Sequence, residues 1–309
     1  MNSLPARDVI EGYESLCASG GSAVVERDVI SVVGPEAARY LQGQLSQDVV
    51  AMASDNAWSF LLGPNGKVDA WLRVHRCDPE SYLIEVDAGW GEQVCVRLSR
   101  FLLRTKASIE GSHRRKLLQR RWDPQLLRIG FEAPEGALIA VPVGPNVTGI
   151  DVLYANDNDA VAEASGDVVP QAALDRYRIA HGVPSMGSEL TDATIPGEAG
   201  QWVIDASVSF TKGCYTGQEL VARIDSRGNN VPHPIRLLAL GAQAVVGDDV
   251  VLDGTVVGQL TSTTPALGPE LPALALARVG RSVTLDAELS VGSRSEFVAA
   301  SVVEPGTTR

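Results

Sequence analysis

The chain has 309 residues, with 45% hydrophobic and 21% charged residues and a formal charge of −12 from 38 acidic and 26 basic groups. That length favours two or three domains over one, and the composition is that of an ordinary globular protein. The net charge repels nucleic acid and anionic membrane at long range. No apolar run approaches the roughly 20 residues that span a bilayer, and Asp8, Glu11 and Glu14 stand where a signal peptide needs basic then apolar residues. These features point to a cytoplasmic location without direct nucleic-acid or membrane partners.

The spacing of Leu4, Val9, Ile10, Tyr13 and Leu16 predicts a helix that stops before Gly20-Gly21. Two short strands follow, at 23–26 and 29–33. Pro35 then opens a helix through Leu45. From Trp58 the pattern turns to β, with a strand to Leu62, the turn Gly63-Pro64-Asn65-Gly66 and a return strand to His75; Asn-Gly between apolar runs is a strong hairpin signal. A strand at 82–86, a helix at 90–103 and strands at 106–110, 116–121 and 126–131 complete a split βαβ pattern. The basic cluster of Arg114, Arg115, Lys116, Arg120 and Arg121 reads as a solvated strand face rather than a nucleic-acid patch. Strands at 137–143 and 149–154, an acidic stretch at 156–164 and a helix at 171–181 come next. Short strands punctuated by glycine over the last 75 or so residues predict a small β-barrel.

Cys17, Cys77, Cys95 and Cys214 form no Cys-x-x-Cys pair, so no metal site is indicated. The first three lie in or beside apolar runs and read as buried small hydrophobes. Cys214 differs. Gly213 and Gly217 bracket it, and helical spacing begins at Gln218, which puts the thiol just before a helix start carrying about half a positive charge. With Lys212 two residues away, the thiolate form is favoured, and Gln218 and Glu219 would cap or orient the helix. The alternative is a turn whose cysteine merely packs beneath Phe210 and Tyr215. No histidine lies in the segment, so a Cys–His hydrolase has no local support.

The segment Lys212-Gly213-Cys214-Tyr215-Thr216-Gly217-Gln218-Glu219 resembles the signature of the YgfZ family, relatives of the glycine-cleavage T-protein (GcvT) that include a mitochondrial iron–sulfur assembly factor. Tyr40 to Val49 is similar to that family's first-domain helix and turn. Gly258 to Ser262 and Ala273 to Ala277 resemble its C-terminal barrel. The resemblance implies an α+β fold, a GcvT-like three-domain ring with a split βαβ (ferredoxin-like) middle domain and a C-terminal β-barrel. Domains would comprise 1–45 with 135–232, 46–134, and 233–309. It also implies binding of tetrahydrofolate or a related folate. The implied role is assembly or repair of iron–sulfur enzymes, tRNA-modifying ones included, with iron–sulfur client or assembly proteins as partners.

Site residues carry over in the same way. Arg223 and Arg227 would receive the anionic folate tail, or would pair with Glu219 and neighbouring carboxylates. Asp87 stands where relatives place an asparagine lining the pterin pocket. Arg178-Ile179-Ala180-His181-Gly182 replaces the usual Arg-Ile-Glu-Ala-Gly, so Ala180 offers no pterin hydrogen bond. His181 either substitutes in part or is a helix-end histidine. Matching Leu72-Arg73-Val74 to the T-protein strand puts Ala70-Trp71 at its aspartate pair and Asp69 one residue off, on the other face. That disfavours a folate-dependent aminomethyltransferase or demethylase, the first alternative. The second is a non-catalytic folate-binding scaffold.

Overall fold

The computed structural model describes residues 6–306 apart from 19, 53, 121–134, 145–146, 155–156, 164–167, 229, 286 and 294–295; the strand expected at 126–131 and Arg121 lie outside the described residues. Helix α1 (Ala6–Cys17) buries Val9, Tyr13 and Leu16 along one stripe. Strand β1 (Ser22–Val33) runs unbroken where two strands were expected. The polar pair Arg27-Asp28 does not turn the chain because both side chains have partners. Arg27 reaches Glu85 at 2.9 Å and also pairs with Asp87, while Asp28 accepts the Gly89 and Gly91 N–H groups at 2.7 and 2.9 Å.

Helix α2 (Ala37–Gln44) precedes β2 (Asn56–Leu62) and β3 (Val68–Asp78), the predicted hairpin, in which Gly66 takes φ +76°. Next come β4 (Ser81–Asp87), α3 (Gly91–Ser99) and β5 (Ser108–Arg120). Two strands are expected within β5, but β1 pairs along both, with a register shift that skips Gly111 between them, and makes them one. Helix α3 is shorter than the predicted 90–103, closing in tight turns in which Phe101 and Leu102 donate to the carbonyls of Leu98 and Ser99. Strands β6 (Ala137–Gly144) and β7 (Val147–Tyr154) follow, and the acidic stretch forms α4 (Asp157–Glu163), with Asp157 and Asp159 in its favourable first turn. Helices α5 (Gln171–Ala180), α6 (Gln201–Ser207) and α7 (Gln218–Asp225) lead to the barrel strands β8 (Ile235–Leu240), β9 (Asp249–Leu252), β10 (Thr255–Thr264), β11 (Ala273–Val279), β12 (Glu288–Ser293) and β13 (Glu296–Val303).

One antiparallel sheet has the order β2-β3-β4-β1-β5-β7-β6. Both β4 and β5 run antiparallel to β1, hence parallel to each other, and α3 joins them. This is a βαβ unit split by β1. The C-terminal half of β1 pairs with β4, while the N-terminal half lies opposite the part of β5 that pairs with β7. The sheet therefore draws strands from both sides of the expected divisions at 45/46 and 134/135. Strands β8 to β13 close into the barrel β10-β11-β8-β13-β12-β9.

The three largest of the five apolar clusters among the described residues join these layers as follows. The largest unites β1 to β4, α2 and α3 with Met186, Leu190, Val203, Val208 and Val221, so the segment leading to Cys214 packs on the sheet. A second joins α1 and α5 to Leu237, Leu274 and Leu276 of the barrel, and the third fills the barrel. Among the described residues no helix is long and apolar enough to cross a membrane.

Candidate functional site: an anchored cysteine loop

The two sequence segments read separately, 40–49 and 212–219, meet in space. Ser46 Oγ donates to the Ser207 carbonyl at 2.6 Å, Gln47 Nε2 to that of Ala206 at 3.1 Å, and the Ser209 N–H to that of Ser46 at 3.0 Å. Farther along, the Thr216 N–H donates to the Gly43 carbonyl at 3.2 Å. The turn after α2 is itself pinned by Gln42, which donates to Asp48 at 3.0 Å and accepts from the Val49 N–H at 2.8 Å.

Lys212 completes the union. Its Nζ donates to the carbonyls of Gln42, Leu45 and Gln47 at 2.6, 2.6 and 2.9 Å, and stands 5.0 Å from the Tyr215 ring centre. An ammonium has three N–H donors, and all three are engaged here. The ammonium that the sequence sets beside the Cys214 thiol makes its hydrogen bonds elsewhere: its charge sits at the carbonyl end of α2, where the helix dipole is negative. Burial pulls its pKa down to about 8, against the attraction of Asp48.

Around it, Tyr215 is half-buried and packs on the main core, and burial pushes its hydroxyl up to about 12. The Tyr215 N–H donates to Gln218 Oε1 at 3.2 Å, and the Gln218 N–H returns to the Tyr215 carbonyl at 3.4 Å, which fixes the entry to α7. Glu219 is exposed in the first turn. Gly217 takes φ +80°. Gly213, expected to shape the turn, has open space where a Cβ would stand and needs no left-handed backbone. Cys214 is exposed with a free thiol. Phe210 is also exposed, at 48%, so the alternative of a cysteine packed beneath Phe210 and Tyr215 does not hold.

Cys17 and Cys77 are likewise exposed and Cys95 half-buried, against the expectation of burial; Cys17 and Cys77 stand near the ends of α1 and β3, where packing gives out.

A cavity of about 590 Å³ borders the segment leading into the loop; Gln47, Asp48, Met52, Trp58, Pro142 and Thr211 are among its lining residues. Trp58 is backed by Trp71, with ring centres 4.3 Å apart and planes at 21°. The Trp71 indole N–H donates to Ser207 Oγ at 2.9 Å.

The remaining expected residues are dispersed. Asp87 is partly exposed, its two oxygens held by Arg27 and by the Met186 N–H at 2.8 Å. Arg178 donates to the Val183 carbonyl at 2.7 Å, to Glu189 at 3.1 Å and to Ser262 Oγ at 2.9 Å, tying α5 to the 183–189 segment and the barrel. His181 lies at the end of α5, stacked on Tyr177 with Nδ1 2.8 Å from that residue's carbonyl; a carbonyl cannot donate, so Nδ1 carries the proton. Ala180 is fully buried in the α1–α5–barrel cluster. Arg223 and Arg227 are exposed, Arg223 in the last turn of α7 and Arg227 just beyond it. Asp69 is held by Arg97 Nε at 2.9 Å, and Arg97 also reaches the Leu62 carbonyl at 2.8 Å.

Sequence reasoning missed a buried ionic network beside Asp87. Arg73 Nη2 binds Glu85 and Asp151, each at 2.8 Å, and His75 Nε2 donates to Glu85 at 3.1 Å. Burial would raise the Glu85 carboxyl, but Arg73 and Arg27 hold it well below the usual range. Burial pushes the His75 imidazole down, against its bond to Glu85. The available signal was charge at alternate positions of apolar strands: Arg73 and His75 on β3, Glu85 and Asp87 on β4.

The fold is that of the GcvT aminomethyltransferases. The glycine-cleavage aminomethyltransferase T of Bartonella henselae superposes with a TM-score of 0.74 over 97% of this chain and 91% of that one, at 17% identity. No family model matches the chain. Among curated proteins, the mitochondrial iron–sulfur cluster assembly factor IBA57 homolog of Pyricularia oryzae is 30% identical over 220 residues, covering 68% of this chain and 55% of that protein. An uncharacterized protein of Haemophilus influenzae is 27% identical over 209 residues, covering 67% and 69%. The chain thus spans little more than half the length of its fungal relative. These relatives and the shared fold assign it to the YgfZ/IBA57 family.

Proposed function

We propose that the chain supports assembly or repair of iron–sulfur enzymes, tRNA-modifying ones included, through an exposed Cys214 presented to client or assembly proteins in the cytoplasm. The observation that carries this reading is the contrast within one loop. Lys212, Tyr215, Thr216 and Gln218 are all tied down, and the thiol between them is exposed. Such a loop presents sulfur to a macromolecule without closing a pocket over it. The IBA57 homologues supply the iron–sulfur context.

Tetrahydrofolate or a related folate is the proposed small-molecule ligand. The cavity of about 590 Å³ has the size of a ligand site, though Asp87, Arg223 and Arg227 are not among its lining residues. Asp87 offers an oriented, partly exposed carboxylate to a pterin amino group, and the exposed guanidiniums of Arg223 and Arg227 suit an anionic glutamate tail. Arg178 and His181, already engaged, would position the 183–189 segment and the helix end rather than touch the ligand. The transferase alternative is disfavoured by Asp69, which stands one residue off the expected aspartate pair and is held in an ion pair by Arg97 at 2.9 Å.

Complementation of a strain lacking the gene tests the thiol. Cys214→Ser is expected to fold yet fail to restore iron–sulfur enzyme activity, and full restoration would remove the role. Calorimetry with tetrahydrofolate is expected to show binding weakened by Asp87→Ala and Arg223→Ala. Tetrahydrofolate-dependent transfer of a one-carbon unit would instead favour the transferase.

A further inference from the structure

The chain is strongly acidic overall, yet residues 97 to 106 read Arg-Leu-Ser-Arg-Phe-Leu-Leu-Arg-Thr-Lys, with four basic residues and no acidic one. This run forms the end of α3 and the turn before β5, and Arg100, Phe101, Leu103, Arg104 and Lys106 are exposed. Leu103, at 86%, is the most exposed large apolar side chain among the described residues, and Phe101 is 48% exposed.

The turn is preformed. Arg97 beneath it is fixed by Asp69, Gln44 and Leu62, and its guanidinium lies 4.6 Å from the Phe101 ring centre. Arg104 holds φ +63°, a region sparsely populated by residues other than glycine and enriched where a backbone is kept for a purpose. Beside the turn lies a cavity of about 320 Å³ whose lining includes Leu103, Arg104, Tyr40, Arg39 and Gly43. The carboxylate facing it, Glu36, is already taken by Arg39 at 3.1 Å and by the Lys106 N–H at 2.7 Å. Through Gly43, which accepts from Thr216, the surface adjoins the cysteine loop.

We propose that this turn docks an acidic segment of a partner protein, its carboxylates on Arg100, Arg104 and Lys106 and one large apolar side chain against Phe101 and Leu103. Charge complementarity selects that occupant. A cationic patch this small on a chain of charge −12 favours a short anionic segment, because the surrounding field repels an extended polyanion or an anionic bilayer. The surface is distinct from the thiol and the folate contacts, so it stands whether or not those readings do.

Panning a random 12-residue peptide display library against the full-length protein tests the proposal. The expected consensus combines several Asp or Glu with one large apolar residue. A synthetic peptide of that sequence should bind at least tenfold more weakly to Leu103→Asp/Arg100→Glu, a double change at exposed positions whose melting curve should match the parent. Binding should also weaken as salt rises from 50 to 300 mM. Absence of a consensus, a basic consensus, or equal binding to the double variant would overturn the proposal. So would a single-stranded RNA 20-mer or phosphatidylserine vesicles whose binding is abolished by the same double change.

Discussion

Gly66, in the β2–β3 turn, and Gly217, at the start of α7, are packed back to back. A Cβ on Gly217 would lie 2.6 Å from the Gly63 carbonyl oxygen and 3.2 Å from Gly66 Cα, while a Cβ on Gly66 would lie 2.5 Å from Leu220 Cβ and 3.1 Å from the Gly217 oxygen. Both have left-handed backbones, at φ +76° and +80°. The hairpin turn is thus a wall of the cysteine loop.

Gly217→Ala and Gly66→Ala each combine a left-handed penalty with a backbone or side-chain clash, and each is expected to cost about 2–4 kcal/mol. Gly213→Ala, which meets nothing within 4 Å, should stay within about 0.5 kcal/mol. Urea midpoints of the three variants decide this ordering.

Lys212→Met strips a common donor from three carbonyls and should cost about 2–3 kcal/mol. Lys212→Arg is expected to rescue little, because a planar fork cannot reproduce three bonds radiating from one nitrogen. The pair separates the anchoring role from one of charge alone, which arginine would preserve.

Acid should destabilise the fold in two stages. The pKa of His75 is depressed by burial from its ordinary 6.5, so below that value the unfolded chain takes up a proton that the fold resists. Glu85, held below its ordinary 4.5 by Arg73 and Arg27, adds stability that is present above that value and lost as pH falls toward its folded pKa. Both slopes have the same sign. Urea midpoints between pH 4 and 8 should fall with decreasing pH, the His75→Gln variant should flatten the upper part of the profile, and Glu85→Ala should cost about 3–5 kcal/mol at neutral pH by stranding buried guanidiniums.

Glu189 is fully buried and joins three elements. One oxygen accepts from Arg178, the Ser185 N–H and Ser185 Oγ, the other from Thr261 Oγ1 at 2.7 Å and Ser262 Oγ at 2.6 Å. Glu189→Ala is expected to cost about 3–5 kcal/mol. It should also raise amide exchange along β10, the end of α5 and the 183–189 segment while leaving β2 and β3 protected, since the bonds lost lie on those three elements.

Local pattern made much of this legible in the sequence. The Asn65-Gly66 turn, the glycine-punctuated barrel and the stripe Val9, Tyr13, Leu16 each need only neighbouring residues to be read. The continuity of β1 was not legible, because Arg27 and Asp28 break the apolar run and their partners lie about 60 residues away. The same limit governs the site. Cys214, Gly217 and Gln218 stand out from their own neighbours, but the carbonyls of Gln42, Leu45 and Gln47 that hold Lys212 lie 165 to 170 residues away and no local pattern announces them.

The Lys212 tether also sets the reach of the sulfur. With Lys212 held through its side chain before it and the Tyr215 and Thr216 N–H groups held after it, Cys214 is left chiefly the small arc swept by rotation about its own side-chain bond. Any atom exchanged with that sulfur must be carried to it, so the travel in such an encounter belongs to the visitor, and the rate would follow the partner's mobility rather than opening of this loop.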